Sequence, residues 1–300
     1  MNIPFWRGKR VLITGHTGFK GSWLSLWLQM LSVELTGYAL DPPTSPSLFE
    51  IARVGEGMFS VTGDVRDLDH LKMIISERRP EIIFHLAAQS LVRPSYENPI
   101  ETYQTNVLGT TNLLEAVRCS EGVRVVIVVT SDKCYENKDT GNPRAYAESE
   151  PMGGYDPYSS SKGCAELVAS AYRDSYFHER GIGLATVRAG NVIGGGDWAE
   201  DRLMTDIFEG LLNEQVIRIR FPKAIRPWQH VQNPLEGYLI LAERLWENAA
   251  EFSEGWNFGP MEDGERSVEW MVNFMTRAWG SPCGWAPAGA QALYEARVLK

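Results

Sequence analysis

A short apolar run, Arg10 to Thr14, ends in Gly15-His16-Thr17-Gly18-Phe19-Lys20-Gly21 and passes straight into apolar residues at helical spacing, Trp23, Leu24, Trp27, Leu28 and Leu31. No other feature restricts the fold as much. A buried strand that turns through glycines into a helix is the first half of a β-α-β unit, and such units wind right-handed into parallel sheets. The alternation continues. Glu34 to Leu40, Met58 to Val61, Glu81 to Leu86, Val123 to Val129 and Leu184 to Val187 read as strands. Phe19 to Leu31, Leu68 to Arg78, Ile100 to Arg118 and Tyr158 to Phe177 read as helices.

The pattern predicts an α/β fold with a doubly wound parallel sheet, Rossmann type, over residues 1–188. After Arg188 the periodicity becomes irregular. Gly194-Gly195-Gly196-Asp197-Trp198 reads as a turn, Ala224 to Trp228 as a loop and Pro234 to Glu247 as a helix. Residues 189–300 are therefore expected to form mainly a smaller substrate lobe, with the helix around 232–247 returning to the first domain. Ligands of such sheets bind beyond the carboxyl ends of the strands, where that lobe would close.

The glycines are spaced G-x-x-G-x-x-G. They permit a tight turn, close approach of backbone to a pyrophosphate and close helix–strand packing, while the helix amino end favours negative charge. Lys20 adds a cation near phosphate or points to solvent. Asp41, at the end of the second strand, is the candidate for the adenosine ribose, which would favour NAD over NADP; a turn-forming role before Pro42-Pro43 is its alternative. Asp64 follows the third strand and could reach the adenine edge, whereas Asp67 suits a helix cap.

Composition sets outer limits. A net charge of −9 argues against a nucleic-acid partner. No stretch approaches the ~20 apolar residues of a membrane span, and Met1 to Gly8 lacks the apolar run of a signal peptide. The four cysteines show no C-x-x-C pair or zinc spacing, so no metal site is expected. Reduced thiols in a cytoplasmic protein are the expected state.

Tyr158 and Lys162 lie four residues apart, on one face of a helix. A free tyrosine is a poor base at neutral pH, with a pKa of about 10, and a neighbouring cation favours its phenolate. The expectation is that Lys162 lowers the Tyr158 pKa and that the pair takes a proton from a substrate hydroxyl while a hydride leaves the same carbon.

Together these residues resemble the extended short-chain dehydrogenase/reductase family, on Thr14-Gly-x-x-Gly-Phe-x-Gly21, Asp64-Val65, His85-Leu86-Ala87-Ala88, Asn106 and Tyr158-x-x-x-Lys162. That resemblance implies a tightly held NAD and a nucleotide-sugar substrate. It implies cofactor contacts at Gly15, Thr17, Gly18, Phe19, Lys20, Gly21, Val65, Leu86, Ala87 and Ala88, with Asn106 a structural or relay neighbour of Lys162. A homodimer or higher homo-oligomer is implied through the helices Ile100 to Arg118 and Tyr158 to Phe177. Longer blocks resemble the 4,6-dehydratase branch that acts on CDP-glucose: residues 15–21, Thr130-Ser131-Asp132-Lys133-Cys134-Tyr135, Arg188 to Trp198 and Ile225 to Val231.

A 4,6-dehydration needs more than oxidation at C4. The 4-ketone acidifies the C5 proton, a base removes it and an acid assists departure of the C6 hydroxyl. Asp132 and Lys133 suit that step, Lys133 acting as base only when neutral. Ser131 would bond the substrate O4 and orient it for Tyr158. Arg226, and less directly Arg202 and Arg220, suit the diphosphate because arginine forks match phosphate oxygens. Gln89, Ser90, Asn191 and Trp198 would line the sugar and base region. Two departures stand against the family pattern: Met204-Thr205 replaces an aliphatic-Pro pair, and family chains generally continue past the equivalent of Leu299-Lys300. A nucleotide-sugar 4-epimerase and a non-catalytic NAD-binding regulator are the alternatives.

Overall fold

Seven parallel strands form the central sheet: β1 Arg10–Thr14, β2 Glu34–Ala39, β3 Phe59–Thr62, β4 Ile82–His85, β5 Val125–Val129, β6 Gly183–Ala189 and β7 Gly255–Phe258. The computed structural model describes residues 1–137, 145–260, 264–280 and 282–288; Leu299-Lys300 lies outside them. Strand order is β3-β2-β1-β4-β5-β6-β7, so the winding reverses between β1 and β4. The helices are α1 Phe19–Met30, α2 Leu68–Arg78, α3 Pro99–Tyr103, α4 Gly109–Arg118, α5 Pro157–Tyr172, α6 Leu203–Leu212, α7 Gln232–Glu247 and α8 Val268–Trp279.

Both faces of the sheet are covered, which is why its strands read as unbroken apolar runs. Val11 and Ile13 of β1 pack with Leu24 and Leu28 of α1 and with Leu235 and Leu239 of α7. Leu12, between them, packs on the opposite face with Leu71 of α2 and Leu113 of α4. A third apolar cluster, with Ile207, Leu211, Trp228, Val268 and Met271, is the core of the smaller lobe.

The structure places two late elements in the main sheet's layers. Helix α7 packs on β5 and β6, and β7 pairs with β6 in register Gly255↔Thr186 to Phe258↔Ala189. The pattern reading had no strand there. Ile225–Pro227, read as loop, is a three-residue strand paired antiparallel with Glu265–Ser267. Three residues are too few to show an alternation, so only the partner strand defines it. The long helical stretches each contain a π-turn, Gln104–Leu108 between α3 and α4 and Arg173–Phe177 after α5.

Candidate active site

The loops after β1 and β4 meet at the reversal point. Gly15 has φ +77°, and a Cβ there would lie 2.6 Å from the Ala87 backbone nitrogen. At Gly21 a Cβ would collide with the Gly15 carbonyl. Gly18 differs: its Cβ would touch only the Gly15 oxygen, at an ordinary 3.5 Å. Two glycines are thus required by the protein's own packing, while the third keeps open space at the amino end of α1. A backbone cradle that a side chain would fill, at a helix start, fits a dinucleotide pyrophosphate.

Buried polar contacts lock this junction. Ala87 N donates to Thr14 Oγ1 (3.3 Å), and Thr14 Oγ1 lies 2.7 Å from His85 Nδ1. His85 Nε2 lies 3.1 Å from Thr110 Oγ1, which donates to the Asn106 carbonyl (2.7 Å). With its proton so committed, the Thr110 oxygen accepts, and His85 carries its proton on Nε2. Burial pushes the His85 pKa down to about 3 and that of His16 down to about 4, so both rings are neutral.

The other expected cofactor residues surround the cradle in differing ways. Thr17 Oγ1 donates to the Leu40 carbonyl (2.9 Å), tying the glycine turn to the end of β2, and Asp41 follows in an exposed turn. The Arg66 guanidinium holds the Asp64 carboxyl below its usual range, donating from Nε at 2.8 Å. Val65 is 4% exposed with its side chain in the core, Phe19 packs against the opposite core, and Leu86, Ala87 and Ala88 form the loop leaving β4. Asn106 accepts from Gln89 N (2.8 Å) and donates to the Gln89 carbonyl (2.9 Å) and Ser161 Oγ (2.8 Å). It therefore joins the β4 loop to α5, and its amide bonds Ser161 where Lys162 was the expected neighbour. Lys20 resolves toward the cleft: its ammonium interacts with Arg202, Asp132, Lys162 and Asp197, and burial lowers its pKa to about 8.

Ser131, Asp132 and Lys133 leave the end of β5 in a short 3-10 turn. Ser131 Oγ donates to Asp132 Oδ1 (3.0 Å) and accepts from Lys133 N (3.2 Å). Asp132 Oδ2 is buried without a hydrogen-bond partner, 3.2 Å from where a Cβ on Gly190 would sit. Burial pushes the Asp132 carboxyl up, against opposing pulls from Lys133, Ser131, Arg226 and Lys20.

Helix α5 starts with Asp156 accepting from Ser159 N and with Pro157 in its first turn, which places Tyr158 at the helix mouth. Tyr158 and Lys162 are 8% and 5% exposed. Here the structure corrects the expectation. Burial pushes the Tyr158 phenol up, a Ser131 hydrogen bond and the Arg202 charge oppose it, and Lys162 is not among its partners. Lys162 Nζ donates instead to the Val129 carbonyl (3.1 Å), and burial lowers its pKa to about 8. Shared helix spacing brings two side chains to one face but does not aim them at each other.

A cleft of about 170 Å³ opens beside Lys133 and is lined by Ser90, Asn191, Arg202, Arg220 and Arg226 among others. Arg226 is 3% exposed and donates to its neighbour's carbonyl, Ile225 O. Two expected lining residues lie elsewhere. Gln89 is bound to Leu91 of its own loop and to Thr102 on α3, and Trp198 is on the surface. The sequence reading missed Arg93, Asp201 and Trp228, which also line the cleft, as does Arg218 of the basic segment that carries Arg220 and Arg226. Asp201 pairs with Arg93 (2.9 Å) and Arg220 (3.5 Å), a cluster drawn from three separate segments with no shared motif. Thr205, in place of the expected proline, donates to the Asp197 carbonyl (3.3 Å) and ties α6 to the glycine turn. Among the described residues no His, Cys, Asp or Glu group could hold a metal ion, and no helix is long and apolar enough to cross a membrane.

A family profile described as GDP-mannose 4,6 dehydratase matches residues 12–247. The chain is 56% identical to the CDP-glucose 4,6-dehydratase of Salmonella typhimurium, over 99% of this chain and 83% of that protein. A dTDP-glucose 4,6-dehydratase from Streptomyces venezuelae, solved with NAD bound, superposes with a TM-score of 0.80 at 22% identity, covering 96% of this chain and 87% of that one. A Thermus thermophilus UDP-glucose 4-epimerase in complex with NAD gives 0.79 at 24% identity, over 96% and 89% of the two chains.

Proposed function

The chain belongs to the GDP-mannose 4,6-dehydratase family, and from that premise we propose that it is an NAD-dependent hydro-lyase converting CDP-glucose to CDP-4-keto-6-deoxyglucose and water. The observation that carries this reading is the unpartnered, buried Oδ2 of Asp132, next to Lys133 and the Tyr158–Ser131 pair. Oxidation at C4 alone, as in an epimerase, has no use for a carboxyl that burial pushes toward its protonated form beside a base.

The glycine cradle would hold NAD, which would supply a hydride acceptor at C4 and a hydride donor at C6. The protein residues handle the protons. Tyr158, whose phenolate the Ser131 hydrogen bond and the Arg202 charge favour against burial, takes the proton of the C4 hydroxyl with Ser131 orienting that oxygen, and Lys162 would offer positive charge to the cofactor ribose. Lys133 removes the C5 proton that the 4-ketone has acidified. Asp132 donates a proton to the C6 hydroxyl, which leaves as water. The C5 proton then returns from Lys133, and the proton taken up by Tyr158 is passed to solvent while Asp132 regains one from solvent, so the side chains end as they began. Arg226, Arg202 and Arg220 hold the diphosphate. Asp41 bonds the adenosine ribose and Asp64, with Arg66, borders the adenine.

A homodimer completes the proposal. Ile100, Leu108, Leu167 and Tyr176 are 74%, 55%, 61% and 46% exposed on the two long helical stretches, an apolar face suited to a second copy. Light scattering reads that mass directly. The central test is incubation with CDP-glucose, following alkali-induced absorbance of the 4-ketosugar and net cofactor reduction. Ketosugar formed without net reduction supports the assignment. A folded protein that forms none refutes it.

A further inference from the structure

Behind the cleft lies a charged cluster that the chemistry above does not use. Glu166 and Arg188 are 5% and 6% exposed and meet in a two-point pair, Arg188 Nε to Glu166 Oε1 at 2.9 Å and Nη2 to Oε2 at 2.7 Å. Thr130 Oγ1 donates to Oε1 (2.5 Å) and Thr186 Oγ1 to Oε2 (2.6 Å). Arg188 Nη1 donates to Tyr135 Oη (2.6 Å) and the Glu148 carbonyl (3.0 Å), and Tyr135 Oη to Asn257 Oδ1 on β7 (2.6 Å). Room for the guanidinium depends on Gly255, where a Cβ would collide with Nη2.

Resting on the dehydratase reading, we propose that Glu166 and Arg188 are a positioning pair that sets the two catalytic segments relative to one another and supplies the counter-charge to Lys162. Thr130 immediately precedes Ser131, and Tyr135 follows Lys133 by two residues, so the pair grips the Ser131-Asp132-Lys133 turn from both ends. Tyr158, Lys162 and Glu166 succeed one another at four-residue intervals on α5. One carboxylate thus joins the acid–base turn to the helix carrying the oxidation pair. Stability alone is a poor reason for it, because buried ion pairs are often replaceable by apolar side chains of similar volume without loss.

The titratable groups that act electrostatically on Lys162, or on which it acts, are Glu166 on α5, Cys134 on the turn, His85 on β4 and Lys20 on α1. His85 is neutral and burial pushes the Cys134 thiol up, which leaves Glu166 as the anion of that set. Burial drives the Lys162 pKa down to about 8, and Glu166 is the largest opposing influence. The ammonium form exists below that pH and is lost as pH rises through it.

Glu166→Gln keeps the shape and removes the charge. Calorimetric titration with NAD across pH should show the alkaline loss of affinity moving about one pH unit lower. Its kcat on CDP-glucose should fall about tenfold or more, with KM within about twofold, as expected for lost alignment. Thr130→Val keeps the charge and removes the tether: kcat should fall about tenfold with the pH dependence of NAD affinity unchanged. A folded Glu166→Gln protein whose NAD affinity follows the unaltered pH curve overturns the counter-charge role. Unaltered kcat in Thr130→Val overturns the positioning role, and does so even where Glu166→Gln fails to fold. Lack of turnover by the unmodified chain refutes the dehydratase reading instead, and the NAD titration still judges the pair.

Discussion

The wall built by the ends of β1 and β4 and the start of α1 is made of main chain, whereas the wall of the neighbouring cleft that comes from the described residues after 189 is made of side chains. On the first wall the determinants are Gly15, Gly18, Gly21 and the backbone of the β4 loop, packed on both faces of one sheet. On the second they are arginines and aspartates carried by short strands and loops, with Asp201 paired to Arg220 and, from the segment after the β4 loop, to Arg93. A backbone site tolerates almost no added atom and has little freedom to repack. A side-chain site can lose one arm of several and still bind. The catalytic turn after β5 stands between the two walls.

The largest effect is expected where the walls meet. Lys133→Ala should lower kcat by about two to four orders of magnitude, the usual range for a general base or acid. The defect should fall on C5 deprotonation, so reduced nicotinamide accumulates in a single turnover; product formed at the unmodified rate would remove Lys133 from the chemistry. Next comes the main-chain wall. Gly15→Ala forces a Cβ to 2.6 Å from Ala87 N at positive φ, and should destabilise the fold by about 3 kcal/mol or more. Gly18→Ala should cost less than about 1 kcal/mol in stability, yet weaken NAD binding about tenfold, one added methyl facing the ligand. Paired melting curves and NAD titrations test the contrast; equal effects at both glycines would erase it.

Acid should weaken the main-chain wall in particular. His16 and His85 have folded pKa values of about 4 and about 3, below the unfolded value of 6.5. Their neutral forms therefore stabilise the fold above pH 6.5, and that stabilisation is lost as pH falls from 6.5 toward 3. The loss is of the order of a few kcal/mol. Chemical denaturation across that window, compared with His85→Gln, measures it; parallel pH curves would contradict it. The smallest effect belongs to the side-chain wall. Arg226→Lys keeps the charge but loses the fork, and should raise KM for CDP-glucose about tenfold while kcat holds, roughly 1.4 kcal/mol.

What could be read in advance follows the same division. A main-chain site needs glycine at fixed spacing, and the turn after Arg10–Thr14 displays it in seven consecutive residues. The Ser131-Asp132-Lys133 turn and the α5 pair are likewise local. Arg93 and Asp201 were missed because they reach the cleft from segments distant in sequence, each resembling a solvated surface charge. Gln89 was misplaced because its loop position was legible but its bonds to Leu91 and Thr102 were not.

By itself the sequence determined the alternation of strand and helix, the parallel sheet and the place of the glycine cradle, because these depend on contacts within a few tens of residues. Only the tertiary structure decided how charges act once buried together. It turned Lys162 toward the Val129 carbonyl and left burial in control of Tyr158. It also set Lys20 among Arg202, Asp132, Lys162 and Asp197 and brought β7 from the far end of the chain to the sheet edge. Desolvation and long-range pairing depend on every neighbour in space, and a linear pattern does not record those neighbours.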